Sequence, residues 1–243
     1  MLRSSARREY YYLKPNLKTN AHNILSLTMF LLNKDMVFPP VEMADEDGLL
    51  AIGGDLSMER LLLAYRKGIF PWYNEDEPIC WWSPDPRFVL YPAELKVSSS
   101  MKTILNNSKY RFTINRAFTQ VIQNCKTITR KGQDSTWISP AVQKAYTILH
   151  EQGFAHSAEA WADEKLVGGL YGIRLGNIFF GESMFSIEKN ASKFAFIKYV
   201  EHLQKENLQL IDCQVYTAHL ESLGARMISR DLFTRIIAGN TGK

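Results

Sequence analysis

The stretch Ser157–Phe185, "SAEAWADEKLVGGLYGIRLGNIFFGESMF", decides the fold. Strand-forming runs are broken twice, at Asp163-Glu164-Lys165 and at Leu175-Gly176-Asn177. Short polar breaks between such runs read as hairpin turns, so the stretch is an antiparallel meander. Downstream, Phe196, Val200 and Leu203 recur at helical spacing within Ala191–Glu206. Leu208–Val215, "LQLIDCQV", returns to strand. A short helix ends at Leu223 with Gly224 after it, and a last strand and helix close the chain. The order gives an α+β class with a mixed sheet.

Upstream, "LLAIGGDLSMERLLLAYRKG" reads as a helix capped by Asp55 or Ser57, running to Lys67 and closed by Gly68 at the C′ position. Leu61, Leu62 and Tyr65 share its apolar face. Arg87–Val97 reads as an edge strand, Ser98–Ser100 as the cap of a short helix, Lys109–Ile114 as a strand and Ala117–Lys126 as a helix. Ser139 and Pro140 fit N-cap and N1 of a helix ending before Gly153. The expected organisation is an N-terminal extension over residues 1–30, a small domain over 31–97 and a mixed-sheet domain over 98–243. Residues 1 to about 27 are expected to be poorly packed, with Met29 as an alternative start.

Between helix and strand lies "IFPWYNEDEPICWWSPDPR", Ile69–Arg87, with three of the five tryptophans and four of the nine prolines. Proline fixes φ and removes a donor, so the expectation is a stiff loop, neither helix nor central strand. It either seals a core or walls a site for an apolar group.

The net charge of +4 sits in residues 1–30, which hold five basic side chains and one acid; the other 213 residues carry 24 of each sign. A polyanion partner must therefore be held by local clustering. From Lys96 to Gln133 there are eight basic residues and no acid, which suits phosphate contact or a solvated basic face. Three dispersed cysteines form no disulfide or zinc pattern, and a reducing, cytoplasmic setting is expected. No apolar run reaches the ~18 residues of a membrane span.

Two strands carry carboxylates where apolar residues are expected. Alternation puts Leu210, Asp212 and Gln214 on one face of their strand, and Glu182 on a face with Ile178, Phe180 and Met184. A buried carboxylate is costly unless it is hydrogen-bonded or used, so both are candidates for structural bonds or for chemistry. His156 and His219 are isolated and read as core or surface residues. The chain has no nucleophile elbow, no P-loop and no metal-binding spacing.

The C-terminal order resembles the GCN5-related N-acetyltransferase superfold. Its usual glycine-rich coenzyme A turn is replaced by "SIEKNASKFA", Ser186–Ala195, so a different acyl donor is expected. The whole pattern resembles the leucyl/phenylalanyl-tRNA–protein transferase family: "FPPVEMADEDGLLAIGGDLSMERLLLAYRKGIFPW", "WWSPDPR", "GGLYG", "FGESMFS", "NASK" and "LIDCQV" stand in its order from about Leu31 nearly to the end. That resemblance implies transfer of leucine or phenylalanine from its tRNA to proteins with N-terminal Arg or Lys, marking them for degradation by the N-degron route. No cofactor or metal is implied, and a monomer is expected.

By the same resemblance Asp212 and Gln214 are the catalytic candidates, with Asp212 a base or an orienter of the amine. Glu182, Trp72, Tyr65, Trp137 and Tyr146 match positions around the donor; Glu182 there bonds the donor's amino group or terminal adenosine, or instead neutralises the acceptor's Arg or Lys. Leu170 stands where relatives often have Met. Trp81 and Trp82 read as packing. Lys102, Lys109 and Arg111 are the candidates for tRNA phosphate contact. Two rival readings are a coenzyme A-dependent N-acetyltransferase and a non-enzymatic adaptor for N-terminal Arg or Lys.

Overall fold

The computed structural model describes residues 30–107, 109–128 and 137–241. The expectations for residues 1 to about 27, and the basic side chains of Arg130 and Lys131, lie outside them. The chain runs β1 (Phe30–Leu32), β2 (Leu49–Gly53), α1 (Met58–Arg66), β3 (Phe70–Pro71), β4 (Cys80–Trp82) and β5 (Arg87–Leu90). It continues through α2 (Ser99–Asn106), β6 (Arg111–Ile114), α3 (Phe118–Thr127), α4 (Pro140–Glu151), β7 (Ala155–Ala162), β8 (Lys165–Leu175) and β9 (Ile178–Ser186). Last come α5 (Ala191–Lys205), β10 (Leu210–Gln214), α6 (Ala218–Glu221), β11 (Arg226–Ile228) and α7 (Arg230–Asn240).

The class is α+β, with a small sheet ordered β1-β2-β4-β3 and a larger mixed sheet ordered β11-β5-β10-β9-β8-β7-β6. The meander forms as expected, β7 to β8 to β9, all antiparallel. β9 and β10 then pair in parallel, with Phe180 opposite Asp212. α5 is the crossover between them. Side chains alternate across the large sheet: Phe88, Leu170, Phe179 and Ile211 pack toward α5, whereas Val89, Tyr171, Phe180 and Leu210 pack toward α3, α4, α7 and the small sheet.

Local signals set several boundaries. Ser98 and Ser139 cap α2 and α4, their hydroxyls accepting from Met101 N and Val142 N; each cap contributes ~1 kcal/mol. Gly68 follows α1 at φ +77°, and a Cβ there would lie 2.9 Å from the Phe233 ring, so glycine both ends the helix and admits α7. Asp55 does not cap α1 through the helix: it accepts the Ser57 N–H at 2.9 Å, and Ser57 is the N-cap residue. Buried Arg60 ties α1 to the chain before it, donating to the carbonyls of Asn33 and Asp35.

Two expectations are corrected. The Ile69–Arg87 segment is not wholly loop: β4 sits inside the small sheet, between β2 and β3. Pro71, Pro78, Pro84 and Pro86 flank Cys80–Trp82 but leave those three residues with their N–H groups free to pair. Arg87–Val97 is not an edge strand. Only Arg87–Leu90 is strand, and it lies between β10 and β11; Pro92 opens a short 3-10 turn after it. The chain passes from the small sheet to the large one between Trp82 and Arg87.

Candidate active site

A cleft of about 450 Å³ opens where β9 and β10 part. Their backbone pairing stops at Phe180 and Asp212, and the lining comes from Gly181–Ser186 on one side and Asp212–Val215 on the other. Two bulges sit at this point. Against β8, Gly181 pairs with Gly172 and Ser183 with Tyr171, so Glu182 is the extra residue. Against β5, Asp212 pairs with Val89 and Gln214 with Phe88, so Cys213 is the extra residue. A bulge breaks the alternation of faces and re-aims side chains. It is how Glu182 and Gln214 come to face one another, with Gln214 Nε2 donating to Glu182 Oε1 at 3.1 Å. Gly172 is required there: a Cβ would lie 2.2 Å from the Phe180 carbonyl oxygen.

Beside Gln214, two phenols hold Glu182. Tyr65 of α1 donates to its Oε1 at 2.7 Å, Tyr146 of α4 to its Oε2 at 3.1 Å, and the two hydroxyls touch each other. Burial pushes the Glu182 pKa up to about 7, against the two hydroxyl bonds that lower it; the Asp212 charge raises it further and the Arg87 charge lowers it. Both tyrosines are held well above the ordinary phenol range, first by burial and then by the Glu182 charge, so they stay neutral donors.

Asp212 is fully buried and is gripped by Arg87, whose Nε and Nη2 donate to its two oxygens at 2.8 and 2.7 Å. Its Oδ1 also accepts the Gln214 N–H at 2.9 Å. Arg87 was not singled out in the sequence, where it ends "WWSPDPR" and reads as the start of an edge strand. Edge strands commonly carry solvated charge. The signal that could have found it is Asp212 itself, since a buried carboxylate demands a cation.

The apolar walls come from several elements. Trp72 follows β3, with its carbonyl held by Trp82 Nε1, and its ring lies 6.0 Å from the Trp82 ring. Trp137, just before α4, meets Tyr146 edge to face at 6.4 Å. Leu170, Phe179 and Phe196 add to the apolar lining. Trp81 packs as expected, fully buried with Nε1 on the Gly53 carbonyl. Of the expected site residues, Trp72, Trp137, Leu170, Glu182, Asp212 and Gln214 line the cleft, and Tyr65 and Tyr146 reach it through Glu182. His219, read as isolated, also lines it; burial, and then Lys193, lower its pKa.

Lys102, Lys109 and Arg111 stand elsewhere, exposed on α2, before β6 and on β6. Their tract has no acid in sequence, but the fold supplies some. Lys109 pairs with Glu188 at 3.1 Å and Arg111 with Glu164 at 3.7 Å.

The family model described as leucyl/phenylalanyl-tRNA protein transferase matches residues 89–238, and that of its N-terminal domain matches residues 54–85. The chain is 59% identical over 209 residues to the leucyl/phenylalanyl-tRNA–protein transferase of Flavobacterium johnsoniae, covering 86% of this chain and 99% of that one. The protein of the same name from Syntrophobacter fumaroxidans is 54% identical over 214 residues, 88% of this chain and 92% of that one. Among solved structures, a GCN5-related N-acetyltransferase from Kribbella flavida aligns with 69% of this chain and 59% of its own, at a TM-score of 0.35 and 8% identity; that likeness assigns no residue a role. The protein is an enzyme of the acyltransferase type. It belongs to the leucyl/phenylalanyl-tRNA–protein transferase family.

Proposed function

We propose that the protein moves leucine or phenylalanine from aminoacyl-tRNA to the α-amine of proteins that begin with Arg or Lys, working as a cytoplasmic monomer and marking those proteins for degradation. The observation that carries this reading is the cleft itself: apolar walls that include Trp72, Trp137 and Leu170, beside the hydrogen-bonded Glu182–Gln214 pair.

The chemistry asks little beyond placement. An aminoacyl ester is already activated, so a free amine can attack its carbonyl carbon directly. The new C–N bond forms, the bond to the ribose oxygen breaks, and the amine's proton ends on that oxygen. The amine has a pKa of about 8, so roughly a tenth is unprotonated at pH 7. Proximity supplies ~7–11 kcal/mol of the barrier reduction.

The roles follow from reach. Trp72, Trp137 and Leu170 hold the donor side chain and the terminal base, where stacking contributes ~1–3 kcal/mol. Glu182, poised near neutrality, accepts hydrogen bonds from an amino group, with Tyr65 and Tyr146 fixing it. Gln214 positions the reacting carbonyl or amine. Asp212, with both oxygens on Arg87, orients Gln214 rather than taking a proton. Lys102, Lys109 and Arg111 contact tRNA phosphates.

The test is transfer of labelled leucine from Leu-tRNA to a peptide beginning with Arg, beside a matched peptide beginning with Gly and a reaction with acetyl-CoA as donor. Label on the Arg peptide alone, from tRNA alone, supports the reading. Transfer from acetyl-CoA, or tight binding of the Arg peptide without transfer, would replace it with an acetyltransferase or an adaptor.

A further inference from the structure

We propose that Arg87, which does not itself line the cleft, is a positioning residue for the transfer, acting through Asp212 on the Gln214 carboxamide. The inference rests on the cleft being the transfer site.

Four contacts in series carry it. The Arg87 guanidinium carbon stands over two rings, Phe70 of β3 and Phe233 of α7, 4.6 Å from each centroid. The side chain is 1% exposed. Buried against both rings, the group has its Nε and Nη2 fork on the two oxygens of Asp212. Asp212 is thereby held, and its Oδ1 takes the N–H of Gln214, two residues on.

That last bond matters because of what it holds. Gln214 sits at φ +62°, a region that few non-glycine residues occupy. Asp and Asn side chains stabilise such turns by bonding the backbone N–H two residues downstream. From this turn, and not from a regular strand, the Gln214 amide reaches Glu182. A chain of fixed groups therefore runs from α7, through Phe233, Arg87 and Asp212, to the cleft. It joins the small sheet, the C-terminal helix and the bulge of β10.

Arg87→Lys keeps the charge but cannot fork, so it tests orientation apart from electrostatics. With Leu-tRNA and the Arg peptide, kcat is expected to fall about ten-fold or more, since small misplacements at a reacting centre are costly. KM for both substrates should stay within about two-fold. Combining it with Asp212→Asn should cost no more than the worse single change, because both cut the same chain of contacts. Phe233→Leu, which strips one ring from the guanidinium without touching the cleft, should lower kcat about three-fold at unchanged KM, and it carries the test if Arg87→Lys does not fold. Wild-type turnover in either folded variant, or a change in KM alone, would overturn the proposal. A wild-type protein that transfers nothing would instead overturn the function on which it rests.

Discussion

The hydroxyls of Tyr65 and Tyr146 meet over the carboxyl group of Glu182, one carried by α1 beside the small sheet and the other by α4, which packs on the large sheet. The site is thus completed across both sheets. Tyr65→Phe and Tyr146→Phe should each slow transfer by up to about a hundred-fold, the lower end of what losing one oriented donor costs. The double variant should fall short of the product of the two, because both hydroxyls serve one carboxyl. Steady-state kcat/KM for the four proteins checks this.

Glu182 also gives stability a pH dependence with a definite sign. Its folded pKa of about 7 lies above the ordinary 4.5, so folding favours the protonated form. Below about pH 4.5 the group is neutral folded or unfolded and costs nothing. As pH rises to about 7, the unfolded chain ionises first and the folded state falls behind, by up to about 3 kcal/mol. Glu182→Gln escapes this loss. Melting curves should show the variant gaining on wild type between pH 5 and 8, with the gap closing below pH 4.5.

Asp212→Asn leaves the Arg87 cation buried against two rings without its counter-charge. Removing one partner of a buried pair costs ~3–5 kcal/mol, so a large drop in melting temperature is expected. At a temperature where the variant is folded, transfer should be strongly reduced and tRNA affinity should stay within a few-fold, since Asp212 is fully buried. Paired melting and binding measurements separate the two effects.

Much of this was legible in the sequence, and the parts that were not have physical reasons. The meander, α4 with its Ser139-Pro140 start, and the strand holding Asp212 follow from local periodicity and capping, which act within a few residues. β4 was hidden because its prolines dominate the reading of the whole segment, although none falls within Cys80–Trp82. Asp212 stood out as a polar residue in an apolar strand, but its partner lies 125 residues away, and no spacing rule links them. Alternation placed Gln214 beside Asp212 for the wrong reason: the bulge at Cys213 breaks the alternation, and the positive φ of Gln214 restores its reach. The basic tract was acid-free only along the chain. Glu164 and Glu188 reach it through the fold.

That last point shapes the electrostatic prediction. Lys102→Glu should weaken tRNA binding and reduce the slope of log affinity against log salt by about one or more. Reversing charge at Lys109 or Arg111 should act more strongly, because the new acid faces Glu188 or Glu164 as well as the phosphates. Binding titrations at several salt concentrations give the slopes; slopes equal to wild type would leave the three side chains as an ordinary solvated face.

The most direct test of the cleft as the transfer site is single-turnover transfer of labelled leucine from Leu-tRNA to an Arg-initiated peptide, wild type beside Glu182→Gln. Glutamine keeps the shape and can still accept from Tyr65, but it cannot ionise. Wild-type transfer, with the variant slower by about a hundred-fold, is the result expected. Equal rates in the two proteins would contradict it, and would move the reaction away from the place where β9 and β10 part.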